Sequence, residues 1–261
     1  LATVNFTHII DFMIMMPLGN YLMPYFDISP AKFSLLLGSY TLTAAVSGFL
    51  AAFYVDNYDR KKVLMYAFAG FLAGTIICGI APTFLLLLIA RVFAGLFGGL
   101  IGAQVLSIIS DTFGYERRGA AMGAVMSSFA VASTLGVPFA LYLANAFSWK
   151  APFLFVGILG IILWPLLNKY IPEMSAHVNR TETFSKIGML KDVIKSKKQR
   201  NALIFSCLIM LGHFLIIPFV NPYLEFNKGF SKSFTPLVYL VGGIAAFTAS
   251  IVLGKLSDQK G

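Results

Sequence analysis

The chain has 261 residues, of which 58% are hydrophobic and 12% charged, and its mean hydropathy of +0.80 excludes a soluble single domain, whose core has no room for so much apolar side chain. The formal charge of +9 raises the question of a nucleic-acid partner. The basic residues, however, sit in short segments between apolar runs and form no single face, which is the pattern of membrane topology and predicts no nucleic-acid partner. The expected class is an all-α membrane protein.

Eight spans of the roughly 20 apolar residues needed to cross a bilayer are predicted in chain order: 6–26, 33–55, 63–81, 84–109, 120–144, 152–167, 203–224 and 234–253. The chain opens on Leu1 without a basic n-region or a small-residue cleavage site, so its start reads as the first span with the initiator trimmed. Within that span, His8 and Asp11 are three residues apart and share a helical face. A carboxylic acid at that depth is presumptively functional, since placing a charge there costs from about 2.5 kcal/mol upward. Asp11 can exchange a proton as a cavity changes sides; the alternative is a structural hydrogen bond to a neighbouring helix. Asn20, near the end of the span, is a candidate for the wall of a substrate cavity.

Between the second and third spans lies Asp56-Asn-Tyr-Asp59-Arg60-Lys61-Lys62, a dense charge cluster in an apolar chain. The fourth span holds Arg91, the one basic residue well inside a span, followed by Gly95, Gly98, Gly99 and Gly102 at a spacing that predicts close helix packing. Arginine keeps its charge in proteins and cannot carry the proton. Its expected role is to tune a carboxylate, with Asp11 the partner across the bundle; the alternative is an ion pair serving only the fold. Gln104 is a second cavity candidate on this span. In the fifth span, Gly136 and Pro138 predict a kink, and Tyr142 is a further cavity candidate.

Residues 169–200 form a basic linker, which separates a six-helix block (1–168) from a shorter second block (201–261). In it Ile187, Leu190 and Ile194 recur at helical spacing among lysines, predicting an amphipathic helix on an anionic leaflet. The seventh span carries His213, Asn221 and Tyr223 on a helix expected to break at Pro218 and Pro222. Polar groups at such breaks line cavities. His213 is a second choice for proton coupling, because histidine titrates near neutral pH. Cys78 and Cys207 lie inside apolar runs and read as small hydrophobic residues, so neither a disulfide nor a metal site is expected.

Lys and Arg are concentrated on one side of these spans, at Arg60 to Lys62, Arg117, Arg118, the linker, Lys255 and Lys260, which places that side and the N-terminus in the cytoplasm. The cluster at Asp56 has a weaker copy: Gly254, Asp258 and Gly261 follow the eighth span as Asp56 follows the second. That is an internal repeat of a six-helix unit, as in carriers whose two bundles rock about a central site.

On these residues the chain resembles the major facilitator superfamily. Its loop between helices 2 and 3 approximates G-x-L-x-D-R-x-G-R-K-x-x-L, and here Asp56, Arg60, Lys61 and Leu64 match, while Ala52 and Asp59 replace glycines. Arg91 with Gly95 resembles the family's R-x-x-x-G motif of helix 4, and Gly136 with Pro138 a degraded antiporter motif of helix 5. The resemblance implies the major facilitator fold, with an N-terminal six-helix bundle plus the first two helices of the C-terminal one, and four helices lying beyond this chain. It implies a conformational gate of Asp56, Arg60, Lys61 and Asp258. It also implies a secondary transporter similar to drug-resistance and sugar-efflux (arabinose efflux-type) permeases.

The expected activity is proton-coupled efflux of a small uncharged or amphipathic solute by alternating access, with protons, the solute and cytoplasmic-leaflet anionic lipids as partners. A bacterial inner (plasma) membrane is the expected location. An importer or uniporter of the same fold, or a non-transporting sensor or scaffold, is the alternative. Walker-type, HExxH and GxSxG motifs are absent from the sequence, so no enzyme, catalytic residue or bound cofactor is expected, and a proton gradient supplies the drive.

Overall fold

A computed structural model describes residues 1–175, 186–245 and 248. The described residues are helical throughout their regular structure: α1 (Ala2–Met15), α2 (Gly19–Phe26), α3 (Pro30–Tyr54), α4 (Arg60–Ile80), α5 (Phe84–Thr112), α6 (Tyr115–Val131), α7 (Val137–Ala146), α8 (Ala151–Tyr170), α9 (Lys186–Lys195) and α10 (Lys197–Pro222), followed by a helical stretch at 235–245. Six helices among them are long and apolar enough to cross a membrane, so this is a multi-pass membrane protein.

The first predicted span is not one helix. It breaks at Met16–Leu18, where Pro17 interrupts the backbone ladder, into α1 and the short α2. The fifth span is interrupted as its Gly136 and Pro138 predict, and the device is a π-helical turn over Ala132–Gly136 between α6 and α7. The seventh differs: α10 runs without a break through Pro218 and stops at Pro222, where a π-helical turn, Tyr223–Asn227, takes over. The linker helix forms as α9, with Lys195 in its last turn, where a cation favours the helix dipole. The eighth span is described to 245 and at 248, and Asp258 lies outside the described residues.

Within the first block, α5 packs between α3 and α4, α4 packs on α8, and α1 packs on α6. The α3–α5 seam is a glycine seam. A Cβ on Gly99 would strike the Ala44 carbonyl and Ser47, and one on Gly95 would strike Thr43 and the Tyr40 backbone, so these two positions allow backbone-to-backbone approach. Gly102, expected on the same seam, faces open space. Asn5 joins α1 to α6, its Nδ2 donating to Ser128 Oγ at 2.9 Å and to the Val125 carbonyl at 3.2 Å.

The buried apolar side chains form two clusters. One, around Ile14, Leu18, Leu22, Phe33, Leu87 and Phe153, fills the end remote from the linker, here the far side. The other, around Leu64, Phe68, Ile101, Val105 and Ile108, fills the end carrying Arg60 to Lys62 and α9, here the basic side.

Candidate functional site

Between the two clusters sits a charge pair. Arg91 Nη1 of α5 donates to Asp11 Oδ2 of α1 at 2.8 Å, and the two side chains are 1% and 0% exposed. Helical phase brings them together: Ala90 and Ala94 flank Arg91 on the buried face of α5, and Ile10 and Ile14 flank Asp11 on α1. The guanidinium also lies over the Tyr40 ring of α3, Cζ 4.2 Å from the centroid, a cation–π contact in a dry setting. His8 completes the cluster, its ring 6.3 Å from that of Tyr40 and 5.7 Å from that of Phe71. Gly98 makes room for this, since a Cβ there would lie 2.6 Å from the Tyr40 hydroxyl and 3.0 Å from His8 Nε2.

The pair is incompletely satisfied. Asp11 Oδ1, Arg91 Nε, His8 Nδ1 and the Tyr40 hydroxyl are all buried without a hydrogen-bond partner. A buried polar network normally closes on itself, and one left partly open is the kind of place where a proton, a water or a ligand group belongs. A carboxylate held by one nitrogen can be protonated on the free oxygen without first breaking the pair.

A second charged arrangement lies at the basic side. Arg60 is 7% exposed and reaches two carboxylates: Nε donates to Asp111 Oδ2 at 2.5 Å and Nη1 to Asp56 Oδ1 at 3.2 Å. Asp111, near the end of α5, carries no signal in the sequence, because an acid at the end of a span ordinarily reads as solvated. Lys61 does not join the carboxylates; its Nζ donates to the Asn168 carbonyl at 2.7 Å, satisfying an orphan group at the end of α8. Asp59, the departure from glycine, caps α4: Oδ1 accepts from the Lys62 amide at 2.9 Å and Oδ2 from the Met174 amide at 2.6 Å. The N-cap of α4 is thus Asp59.

The five cavity candidates do not share one cavity. Gln104 is buried, but it lies about 20 Å further along α5 than Arg91 at helical rise. Asn20 is on the far side, fully buried, in the wall of a cavity with Tyr21 and Trp149. Asn221 is 1% exposed and donates from Nδ2 to the Pro17 carbonyl at 2.9 Å, closing the break between α1 and α2. Tyr142 and Tyr223 are 62% and 50% exposed and stand outside the buried cluster. The backbone of His213 belongs to α10, and its side chain lies outside the described residues. Spacing alone places residues on a helix face; it does not say at what height two faces meet. Among the described residues there is no group of His, Cys, Asp and Glu able to hold a metal ion.

Known proteins bear on this arrangement. The chain is 24% identical over 254 residues to the MFS-type transporter YceJ of Bacillus subtilis, covering 96% of this chain and 64% of that protein. It is 25% identical over 231 residues to the putative transporter AraJ of Escherichia coli, covering 86% and 56% respectively. The chain therefore spans somewhat more than half the length of these relatives. Its fold matches the crystal structure of a bacterial homologue of the human lysosomal transporter Spinster, inward-facing and unoccupied, with a TM-score of 0.77, 17% identity, and coverage of 99% of this chain and 62% of that one. The sequence description of the Major Facilitator Superfamily matches residues 1–261 from end to end, and the chain belongs to that family.

Proposed function

We propose that the protein is a secondary active transporter that exports a small uncharged or amphipathic solute in exchange for protons, by alternating access across a bacterial inner membrane. The observation that carries this reading is the buried Asp11–Arg91 pair, with Asp11 Oδ1 and Arg91 Nε unpartnered. An ionised Asp11 holds Arg91; a protonated Asp11 releases it toward Tyr40, and the change alters the α1–α5 seam. His8, one turn from Asp11, is the group through which the proton reaches it. Family membership and the transporters among its relatives support transport itself. The protein would work as a carrier with no enzymatic step and no bound cofactor. Arg60, Asp56 and Asp111 form the gate of the basic side, which on this reading faces the cytoplasm together with the N-terminus. There the lysines of α9 meet anionic lipids.

The test uses the full-length protein in proteoliposomes, with a pH-sensitive dye inside and a panel of neutral and amphipathic solutes. Asp11→Asn is expected to abolish solute-driven proton movement while solute–solute exchange continues. Proton movement unchanged in Asp11→Asn would remove the pair from the coupling step.

A further inference from the structure

A cavity of about 520 Å³ opens on the far side, away from the Asp11–Arg91 pair, and its wall is unusual for a membrane interface. Two lysines line it. Lys150 places Nζ 5.6 Å from the Trp149 ring and 5.9 Å from the Tyr25 ring, and Lys232 places Nζ 4.9 Å from the Tyr21 ring. Asn20 lines it too, fully buried, with both Nδ2 and Oδ1 unpartnered, and so does Trp149, 4% exposed, with Nε1 buried and unpartnered. A plain aromatic belt with snorkelling lysines keeps its polar tips in water or on headgroups. Here an amide and an indole N–H are withheld from water with nothing to bond, which is costly unless a ligand group meets them.

The donors define that group. The residues lining the cavity carry two ammonium groups and, buried behind its wall, an unpartnered indole N–H and carboxamide NH₂, while the Tyr21 hydroxyl is engaged by Asn145. No carboxylate is among the described lining residues; the nearest is Glu225, which neighbours Tyr21, accepts from Thr235 Oγ1 at 2.8 Å through Oε1 and keeps Oε2 buried and unpartnered, so it offsets one of the two lysine charges. The balance is cationic and donor-rich, and the walls between the donors are flat rings. From this we infer a binding site for an organic oxyanion, its carboxylate or phosphate between Lys150 and Lys232 and its apolar body against Tyr21, Tyr25 and Trp149. Lys232 comes from the connection between the seventh and eighth spans and the other donors from the first block, so an occupant ties the two blocks together on the far side. A ligand that binds one arrangement of the blocks better than another shifts the population toward it.

The experiment reads Trp149. In the full-length protein every other tryptophan is replaced by phenylalanine, Trp164→Phe within this chain, and the protein is placed in phosphatidylcholine nanodiscs. Benzoate is then titrated against benzyl alcohol, its neutral counterpart, at constant ionic strength, and a second preparation replaces part of the lipid by phosphatidylglycerol. A saturable benzoate response that benzyl alcohol does not reproduce, weakened about tenfold by Lys232→Gln or Lys150→Gln, establishes a soluble oxyanion as the ligand. A Trp149 spectrum displaced by phosphatidylglycerol and restored by the same replacements, with no benzoate response, assigns the site to a lipid headgroup. Trp149 emission indifferent to both anions, a benzyl alcohol effect equal to that of benzoate, or binding that neither lysine replacement weakens would overturn the proposal. Equal thermal unfolding midpoints for parent and lysine variants separate loss of the site from loss of the fold.

Discussion

At Arg91 the cost of a charge in an apolar bundle is offset from two directions, by the Asp11 carboxylate at 2.8 Å and by the Tyr40 ring face at 4.2 Å. Neither partner alone would suffice, because desolvating a guanidinium costs several kcal/mol even after the surroundings relax. This asymmetry makes a prediction. Asp11→Asn leaves a buried cation with a weaker acceptor, whereas Arg91→Leu leaves a carboxylate with its ion-pair partner removed, on the buried face of α1 between Ile10 and Ile14. The single variant Arg91→Leu is expected to lose about 3–5 kcal/mol of stability, and the double variant Asp11→Asn with Arg91→Leu to regain most of it, since both charges then leave together. Thermal unfolding in detergent of the two singles and the double measures the coupling. A double variant as unstable as the sum of the singles would show that the pair does not act as a unit.

Among the elements, α4 shows how a departure from a family pattern acquires a purpose. Asp59 caps the helix through Lys62 and at the same time holds the Met174 amide, while the Arg60 amide donates to the Met174 carbonyl at 3.2 Å. The start of the linker is thereby strapped to the turn that carries Arg60. Glycine at an N-cap costs only a few tenths of a kcal/mol relative to aspartate, and alanine about 1 kcal/mol, so two substitutions separate the two jobs. Asp59→Gly and Asp59→Ala should both speed hydrogen exchange at the 171–175 segment, and Asp59→Ala alone should also lower the thermal midpoint clearly. Unchanged exchange in both variants would mean that the strap holds without Asp59. This double role was not legible in the sequence, where the residue reads only as a missing glycine. The helices themselves were legible, because a run of apolar residues between charged turns has few other solutions in a bilayer. The approach of Asp11 to Arg91 was legible for the same reason, since two isolated opposite charges in lipid must meet. The break at Pro17 was missed because apolar residues flank the proline on both sides and the run is long enough for one span. Asp111 and the Asn221–Pro17 contact were hidden because they depend on the height at which distant elements cross, which no local pattern encodes.

At the scale of the whole molecule, the contacts between the first block and α10 are distributed unevenly along that helix. Phe214 meets Phe12 at 5.7 Å between ring centroids, Phe219 meets Phe33 at 6.4 Å, and Asn221 holds the Pro17 carbonyl, all in the half of α10 nearest the far side. Gly243 of the eighth span approaches Thr134 in the π-helical turn of the fifth so closely that a Cβ there would lie 2.7 Å from Oγ1. Residues 201–212 of α10, toward the basic side, are exposed. The seam is thus tightest where the α1–α2 break and the π-helical turn lie, and these irregular segments are the places where a helix bends at least cost. If alternating access opens this seam, a bond across it must stop the cycle. With Cys78 and Cys207 replaced by alanine, Phe33→Cys and Phe219→Cys together are expected to be bridged in membranes by a short bifunctional thiol reagent with a cleavable disulfide, which fills the space the two rings occupy. The cross-linked protein should lose solute-driven proton movement in proteoliposomes and recover it on reduction, while each single cysteine variant is unaffected by the reagent. Transport that persists with the bond in place would show that the seam between the second and seventh spans stays shut throughout the cycle, and would move the opening to the contact of the fifth and eighth spans, where Gly243 meets Thr134.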